Sequence, residues 1–187
     1  LAVSTEQIRL RSGTIVLPQN NAIRVAEQAS TVDALSGGRV DLGVSTGWGV
    51  VDFALSPHTF ANKRADMFAK LRAVRNLFKP EGSQRLLDGA GRERDLSVFP
   101  RTLRGGMDVW IACANSEQMF FDAGAVGANV LTALLMLSPT RLAQCVHIYR
   151  QSLSYHGFDP TSGIVSVMAH TFLAPTDDIA RRLADEP

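Results

Sequence analysis

Residues that could bind a ligand are found at the ends of predicted strands and at the starts of predicted helices. A tip of small and polar residues, Ser45 to Trp48, follows a predicted strand from Arg39 to Val44. Asn115 and Ser116 stand between a strand and a helix, where their side chains can cap the helix and its free N–H groups can attract phosphate. Arg64 lies in the first turn of another helix. Its residue type predicts a solvated surface position, although a guanidinium also binds phosphate oxygens through paired hydrogen bonds.

The stretch from Val25 to Trp48 indicates how such a tip is positioned. Helical spacing of apolar residues up to Leu35 is followed by the glycine turn Gly37-Gly38 and then by the strand from Arg39 to Val44. This pattern is one helix-to-strand step of a parallel sheet. Because α/β folds bind ligands beyond the carboxyl ends of such strands, we expect the tip to face a ligand.

Strand and helix patterns alternate along the whole chain. Strands are predicted over Ile8–Leu17, Arg39–Val44, Val109–Ala114, Ala128–Leu134 and Ile164–Leu173. Helices are predicted over Ala22–Leu35 and Asn62–Phe78, from Asn115 or Ser116, from Ser138-Pro139 to Gly157, and from Thr176 onward. The polar, glycine-rich residues 81–106 are interpreted as a loop insertion with one short extended piece from Leu96 to Phe99.

The apolar strand runs predict an α/β fold with a parallel sheet covered by helices. A closed (β/α)₈ barrel needs eight such units and roughly 250 residues, so five units are only part of one. On periodicity alone, a doubly wound open sheet fits about as well. The first strand is not followed by a GxGxxG fingerprint, which disfavours a Rossmann dinucleotide site.

Composition limits the classes of partner. The chain has 187 residues, 45% of them hydrophobic and 20% charged, and a net charge of +1. Nothing in this balance favours nucleic acid or an anionic membrane, and no apolar run is long enough to span a bilayer. Cys113 and Cys145 lack metal-ligand spacing, so we expect no metal, buried thiols and a cytoplasmic location. The first residues, from Leu1 onward, lack the features of a signal peptide, and we interpret the chain as starting inside a larger protein.

Six stretches, in order, resemble the luciferase-like flavin monooxygenases. They are IRLRSGTIVLP, RVAEQASTVDALSGGRVDLGVSTGW with the following Asp52-Phe53, NKRADMF, WIACANSEQMF, GANVLTALL and VMAHTFLA. The last three are most similar to the subgroup found in natural-product biosynthesis. The resemblance implies a TIM-like (β/α)₈ barrel that binds FMN at its C-terminal face. It also implies that residues 1–187 form a single partial domain with about five central β/α units.

The resemblance assigns cofactor-binding roles to residues near the C-terminal ends of the strands. These residues are Gly13, Thr14, Ser45, Thr46, Trp48, Arg64, Asn115, Ser116, Gln118, Leu131 and Thr132. Arg64 and the Asn115–Gln118 turn would hold the FMN phosphate. Gly13-Thr14 would form a non-proline cis peptide against the flavin ring, which Leu131 and Thr132 would face. His170 matches the subgroup's wording, but a buried structural histidine is an equal alternative.

The function implied is that of an FMN-dependent monooxygenase, in which reduced flavin and O₂ oxygenate a small organic substrate. A flavin reductase would be a possible partner, and the chain would be a homo-oligomer or part of a larger chain. The subgroup commonly has histidine where this chain has Gly49 and Asn21, so no catalytic base is assigned and turnover by the chain alone is in question. The alternatives are a non-catalytic flavin-binding or structural barrel domain and an oxidoreductase dependent on the deazaflavin F420.

Overall fold

A parallel sheet with helices along one face forms the protein. The computed structural model describes residues 1–56 and 60–185. Its strands are β1 (Leu10–Arg11), β2 (Ile15–Val16), β3 (Val40–Ser45), β4 (Gln84–Leu87), β5 (Glu93–Leu96), β6 (Val109–Ala112), β7 (Asn129–Ala133) and β8 (Val165–Met168). Its helices are α1 (Ala22–Ser36), α2 (Lys63–Leu77), α3 (Glu117–Ala125), α4 (Pro139–Tyr155) and α5 (Asp177–Ala184).

The order of the strands distinguishes a barrel from a doubly wound sheet. The main sheet runs β1 and β2, then β3, β6, β7 and β8, all parallel, so neighbours in space follow one another along the chain. A doubly wound sheet would reverse its direction at a switch point. The α/β class and the partial TIM-like barrel are therefore confirmed, and the doubly wound alternative is excluded.

A contact across the other face shows how strongly the sheet curls. Arg11 on β1 donates from Nη2 to Ser166 Oγ on β8 at 3.5 Å, although three strands lie between them. In a flat sheet these two strands would be about 19 Å apart at a spacing of about 4.8 Å per strand, which is beyond the reach of one arginine. The guanidinium also lies 3.8 Å from the ring centroid of Trp110 on β6. This uncovered face is therefore concave, as in a half-barrel.

The core lies between the helix-covered face of the sheet and the helices. Val44, Ile111 and Val130 on the strands pack in it. On the helices, α2 buries one apolar face and α4 contributes Tyr149, whose hydroxyl donates to the carbonyl of Ala128 at 2.8 Å. The buried face of α2 comprises Met67, Leu71, Val74 and Leu77. Alternation along the strands thus directs one set of side chains to this core and the other to the concave face.

Two predicted strands are much shorter in the structure. The strand expected over Ile8–Leu17 is interrupted because the Ser12 hydroxyl, in place of backbone groups, bonds both the N–H and the C=O of Gly43, each at 2.9 Å. The strand expected over Ile164–Leu173 ends at Met168, opposite Ala133, the last residue of β7. Beyond that point the chain loses its pairing partner.

The region 81–106 was predicted as a loop, and this interpretation is wrong in one respect. It contains the antiparallel hairpin of β4 and β5. The extended piece expected over Leu96–Phe99 overlaps this hairpin only at Leu96. Charged pairs hold it, including Arg85 with Asp95 at 3.2 Å. Strands this polar lack the alternation of apolar and polar residues from which a strand is predicted.

Two helix starts, those of α4 and α5, follow the predicted caps closely. Ser138 accepts a bond from the N–H of Arg141 at 3.2 Å, and Thr176 accepts one from Ile179 at 3.3 Å. Asn21 accepts from Ile23 at 2.9 Å, which gives a structural role to a position where the family subgroup often has histidine. No helix among the described residues has the length and apolar character needed to cross a membrane.

Candidate functional site

The predicted site residues gather at one end of the sheet. In the parallel register Val16 lies beside Ser45, Val44 beside Ile111, and Ala112 beside Leu131. The carboxyl ends of β2, β3, β6 and β7 therefore form one continuous rim. Gly13, Thr14, Thr46 and the Asn115 turn lie next to this rim by their positions in the chain. We call this end of the sheet the upper rim.

The segment from Ser12 to Thr14 crosses β3 at very close range. The peptide bond between Gly13 and Thr14 is cis, as the family resemblance implied. A Cβ added to Gly43 would collide with the carbonyl oxygen of Ser12 and would lie 3.4 Å from Thr14 Cγ2. Only glycine at position 43 leaves room for this approach. Sequence reasoning missed Ser12 and Gly43, although a glycine within a strand is itself a signal of close backbone contact.

The tip after β3 is held by the start of α2. Gly47 has φ of 80°, a left-handed conformation that favours glycine. Its carbonyl accepts a bond from Lys63 Nζ at 3.1 Å, which sequence reasoning did not identify. Ser45 and Thr46 are partly buried, whereas Trp48 is 76% exposed and packs little against the described residues.

Arg64 and Gln118 meet on a carboxylate. Arg64 donates to Asp122 Oδ2 from Nε at 2.6 Å and from Nη2 at 2.5 Å, while Gln118 Nε2 donates to Oδ1 at 3.0 Å. The structure therefore brings together two predicted phosphate residues from α2 and α3. Their common acceptor is Asp122 on α3. No sequence pattern indicated that this face of α3 would contact α2. A cleft of about 490 Å³ between these helices runs past Arg64 and Asp122 to Phe68 and Arg72.

The start of α3 offers free backbone donors. Ser116 occupies the N-cap position, but its side chain makes no capping bond. Among the described residues, no acceptor is found for the N–H groups of Glu117 and Gln118. Both Asn115 and Ser116 are exposed. Glu117 is paired with Arg141 at 2.6 Å, which offsets the only acidic charge in this first turn. The helix start is therefore open to an anion.

Leu131 and Thr132 point to opposite faces of β7. Leu131 is partly buried on the concave face. Thr132 is 5% exposed on the same face as the core residue Val130, and its hydroxyl has no hydrogen-bond partner among the described residues. The strand therefore directs the Leu131 side chain, and not that of Thr132, to the concave face. His170 is exposed and lies beyond β8, so neither the predicted strand position nor the buried alternative holds.

The described residues contain no reactive thiol and no metal cluster. Cys113 and Cys145 are buried and unpaired, and burial raises the pKa of both thiols above the ordinary value of 9.0. A protonated buried thiol is a poor nucleophile. No group of three histidine, cysteine or acidic side chains is placed to hold a metal ion in this part of the chain.

Curated relatives resemble parts of this chain. The uncharacterized protein YvbT of Bacillus subtilis is 36% identical over 86 residues, which are 46% of this chain and 26% of that protein. The oxygenase component of flavin-dependent trigonelline monooxygenase from Acinetobacter baylyi is 23% identical over 195 residues, covering 100% of this chain and 51% of that protein. The chain thus spans about a quarter to a half of the length of these two relatives.

Solved structures share the fold. Monooxygenase RslO1 from Streptomyces bottropensis gives a TM-score of 0.82 at 22% identity, over 97% of this chain and 55% of that one. The oxygenating constituent of 3,6-diketocamphane monooxygenase from Pseudomonas putida, in complex with FMN, gives 0.81 at 17% identity, over 98% and 54%. An F420-dependent secondary alcohol dehydrogenase gives 0.77 at 15% identity, over 97% and 55%.

One family accounts for the whole of the chain. The sequence profile described as luciferase-like monooxygenase matches residues 1–187 from end to end. The strand order agrees with the partial barrel expected from the six sequence stretches. The chain belongs to the luciferase-like monooxygenase family.

Proposed function

We propose that the chain is the flavin-binding portion of an FMN-dependent monooxygenase. In this proposal reduced FMN and O₂ oxygenate a small organic substrate at the upper rim. The observation that carries the proposal is the uncapped start of α3, which leaves the N–H groups of Glu117 and Gln118 free beside the Arg64 cluster. Phosphate binds well where free helix N–H groups and a guanidinium are available together.

The chain's own residues fit the two ends of such a cofactor. Asn115, Ser116 and Gln118 would hold the phosphate at the start of α3, with Arg64 as its cationic partner. Gly13 and Thr14 would support the ring at the rim, where Gly43 keeps the backbone close. Ser45, Thr46 and Trp48 would border the substrate side, and Leu131 on β7 would line the ring, whereas the Thr132 side chain is turned to the core. When bound, reduced FMN supplies the electrons that activate O₂, and the protein orients it and excludes water.

Features beyond the cofactor belong to the same proposal. The trigonelline enzyme is named as an oxygenase component, which supports a flavin reductase as partner. A cytoplasmic location, a role in natural-product biosynthesis and assembly as a homo-oligomer or within a larger chain are proposed with it. The boundary of a single partial domain at residues 1–187 also stays a prediction.

A second candidate is a domain that binds flavin without turning over. Its support comes from the two positions where relatives often have histidine. Asn21 caps α1, and the N–H of Gly49 is bonded to Asp52 at 2.9 Å, so both positions serve local structure. An oxidoreductase dependent on F420 is a third candidate, because structures of that class share the fold.

Flavin titration tests the phosphate site and separates FMN from F420 as the cofactor. Arg64→Ala should weaken FMN binding roughly ten- to a hundredfold, because hydrogen bonds to a charged group contribute about 1.5–3 kcal/mol. Riboflavin, which lacks the phosphate, should bind wild type and variant equally. Arg24→Ala, an exposed arginine on α1, is the matched control. Equal losses for both ligands would remove Arg64 from the site, and tighter binding of F420 than of FMN would favour the third candidate.

Turnover is measured separately. Reduced FMN and candidate substrates are supplied to residues 1–187, and oxygenated product is compared with a reaction that lacks protein. We expect FMN binding without product from this chain alone, since no residue of the rim is assigned as a base. Product above the background would exclude the non-catalytic candidate.

A further inference from the structure

A second cleft lies at the opposite end of the sheet from the upper rim. It has a volume of about 380 Å³ and lies where β6, β7 and β8 begin. Arg75 near the end of α2 lines it together with Asp108, Asn129, Phe158 and Gly163. Clefts of this size accommodate small molecules. None of the roles proposed for the upper rim uses this cleft.

Arg75 is a partly buried cation with few partners. Its Nη1 donates to the carbonyl of Val126 at 2.6 Å, and the described residues provide no carboxylate for it. By contrast, Arg39 is held by five hydrogen bonds and Arg101 by three carbonyls. Burial lowers the pKa of the Arg75 guanidinium. A desolvated charge without a counter-charge is unfavourable until an anion reaches it.

Neighbouring groups add donors to the same cleft. Asn129 accepts a bond from the N–H of Ile164 at 2.9 Å through Oδ1, which leaves its amide NH₂ free to donate. No acceptor is found among the described residues for the N–H of Gly163. Asp108 is the one acidic residue in the lining, and its carboxylate is bonded to Arg9 at 3.2 Å. The positive charge of Arg75 is therefore not neutralised from within the cleft.

We propose that this cleft binds a small organic oxyanion, either a carboxylate or a phosphate monoester. Arg75 holds the oxyanion, Asn129 and the Gly163 N–H supply further donors, and Phe158 contacts the apolar part of the ligand. Guanidinium groups bind both kinds of oxyanion in a bidentate manner. The site is independent of the flavin proposal, because it lies at the other end of the strands.

Ligand-observed NMR tests this site even if the protein self-associates. Butyrate, methyl phosphate and the neutral analogue butyramide are each titrated with residues 1–187. Butyrate, methyl phosphate or both should show saturable line broadening, and butyramide should show none. Arg75→Gln should weaken binding at least tenfold, and Arg75→Lys should retain part of it. Arg24→Gln should bind these ligands as wild type does. Arg64→Gln shows whether any of the binding occurs at the cleft beside Arg64 instead.

Stability distinguishes a ligand site from a purely structural arginine. Without added anion, Arg75→Gln should be at least as stable as wild type towards urea, because the variant removes an uncompensated charge. Absence of saturable binding to wild type, equal binding by Arg75→Gln, or loss of binding only in Arg64→Gln would overturn the proposal. Butyrate binding without methyl phosphate binding would identify the ligand class as carboxylates, and the reverse would identify phosphates.

Discussion

Arg64 on α2 and Asp122 on α3 form an ion pair in which two guanidinium nitrogens reach the same carboxylate oxygen, at 2.6 and 2.5 Å. Gln118 occupies the other oxygen at 3.0 Å. Asp122 is 14% exposed, whereas Arg64 is 51% exposed and can still be approached from solvent. A phosphate bound by Arg64 must therefore share the guanidinium with a carboxylate that is already in place.

This competition predicts that Asp122→Asn strengthens FMN binding. The amide keeps the shape of the side chain but removes the negative charge that opposes a phosphate. Exposed ion pairs contribute about 0.2–1 kcal/mol, so we expect FMN affinity to rise by up to about fivefold. Riboflavin affinity should not change, and Asp178→Asn on the exposed face of α5 should affect neither ligand. A fall in FMN affinity would mean that Asp122 positions Arg64 for the phosphate.

Features of this site could be predicted from the sequence where they depend on neighbouring residues, and not where they depend on contacts between distant parts of the chain. The starts of α4 and α5 were predicted because Ser138 and Thr176 act as caps within one turn of the helix. Asp122 was missed because its role comes from a contact with a helix 58 residues away in the chain. The hairpin of β4 and β5 was missed because it is held by charged pairs such as Arg85 with Asp95, and polar strands carry no apolar period.

Strand lengths were overestimated for a related reason. An apolar run shows where a strand can form, but pairing decides where it stops. Ser12 interrupts the first strand by bonding Gly43, and β8 ends at Met168 where β7 ends. The choice between a barrel and a doubly wound sheet likewise required the order of the strands, which periodicity cannot provide.

Gly43→Ala should destabilise the protein and disturb the rim. The new methyl group would collide with the backbone carbonyl of Ser12, which cannot move aside as a flexible side chain would. Overpacking of this kind costs about 1–3 kcal/mol. The free energy of unfolding in urea should fall by that amount. Gly89→Ala in the hairpin, where a Cβ meets nothing within 4 Å, is the control and should be neutral. Equal stability of the two variants would contradict the close approach at Gly43.

Cys113 should make stability fall at alkaline pH. Burial is the largest cause that raises the pKa of this thiol in the folded protein, followed by the nearby Asp122 and Cys145. The unfolded chain therefore loses this proton first, near pH 9.0, and the stabilisation is fully present only below that value. Above it, stability should decline by up to about 1.4 kcal/mol per pH unit for each such thiol.

Urea unfolding at pH values from roughly 7.5 to 10, a window around the ordinary pKa of a thiol, measures this slope. Cys113→Ala should make the decline shallower, and the remaining slope should come from Cys145 and, towards the alkaline limit, from Tyr149, because burial raises the pKa of both groups. Both thiols should resist a thiol reagent in the native protein and react after unfolding. A slope that Cys113→Ala leaves unchanged would show that the thiol does not control it.

The open sheet predicts that residues 1–187 self-associate when isolated. The main sheet has two edges, β1 with β2 on one side and β8 on the other, and unpaired edges bind other chains. Apolar side chains lie exposed near the β8 edge, with Leu135 at 68%, Met168 at 60% and Val167 at 41%. Size-exclusion chromatography with light scattering should therefore show oligomers or aggregates, and a hydrophobic dye should bind.

Val167→Lys should reduce the association, because an edge lysine opposes strand pairing. Tyr155→Lys, which changes an exposed side chain on the helix α4 and not on a strand, should leave it unchanged. A monodisperse wild-type monomer with one cooperative thermal transition would show that the half-barrel is stable without a partner.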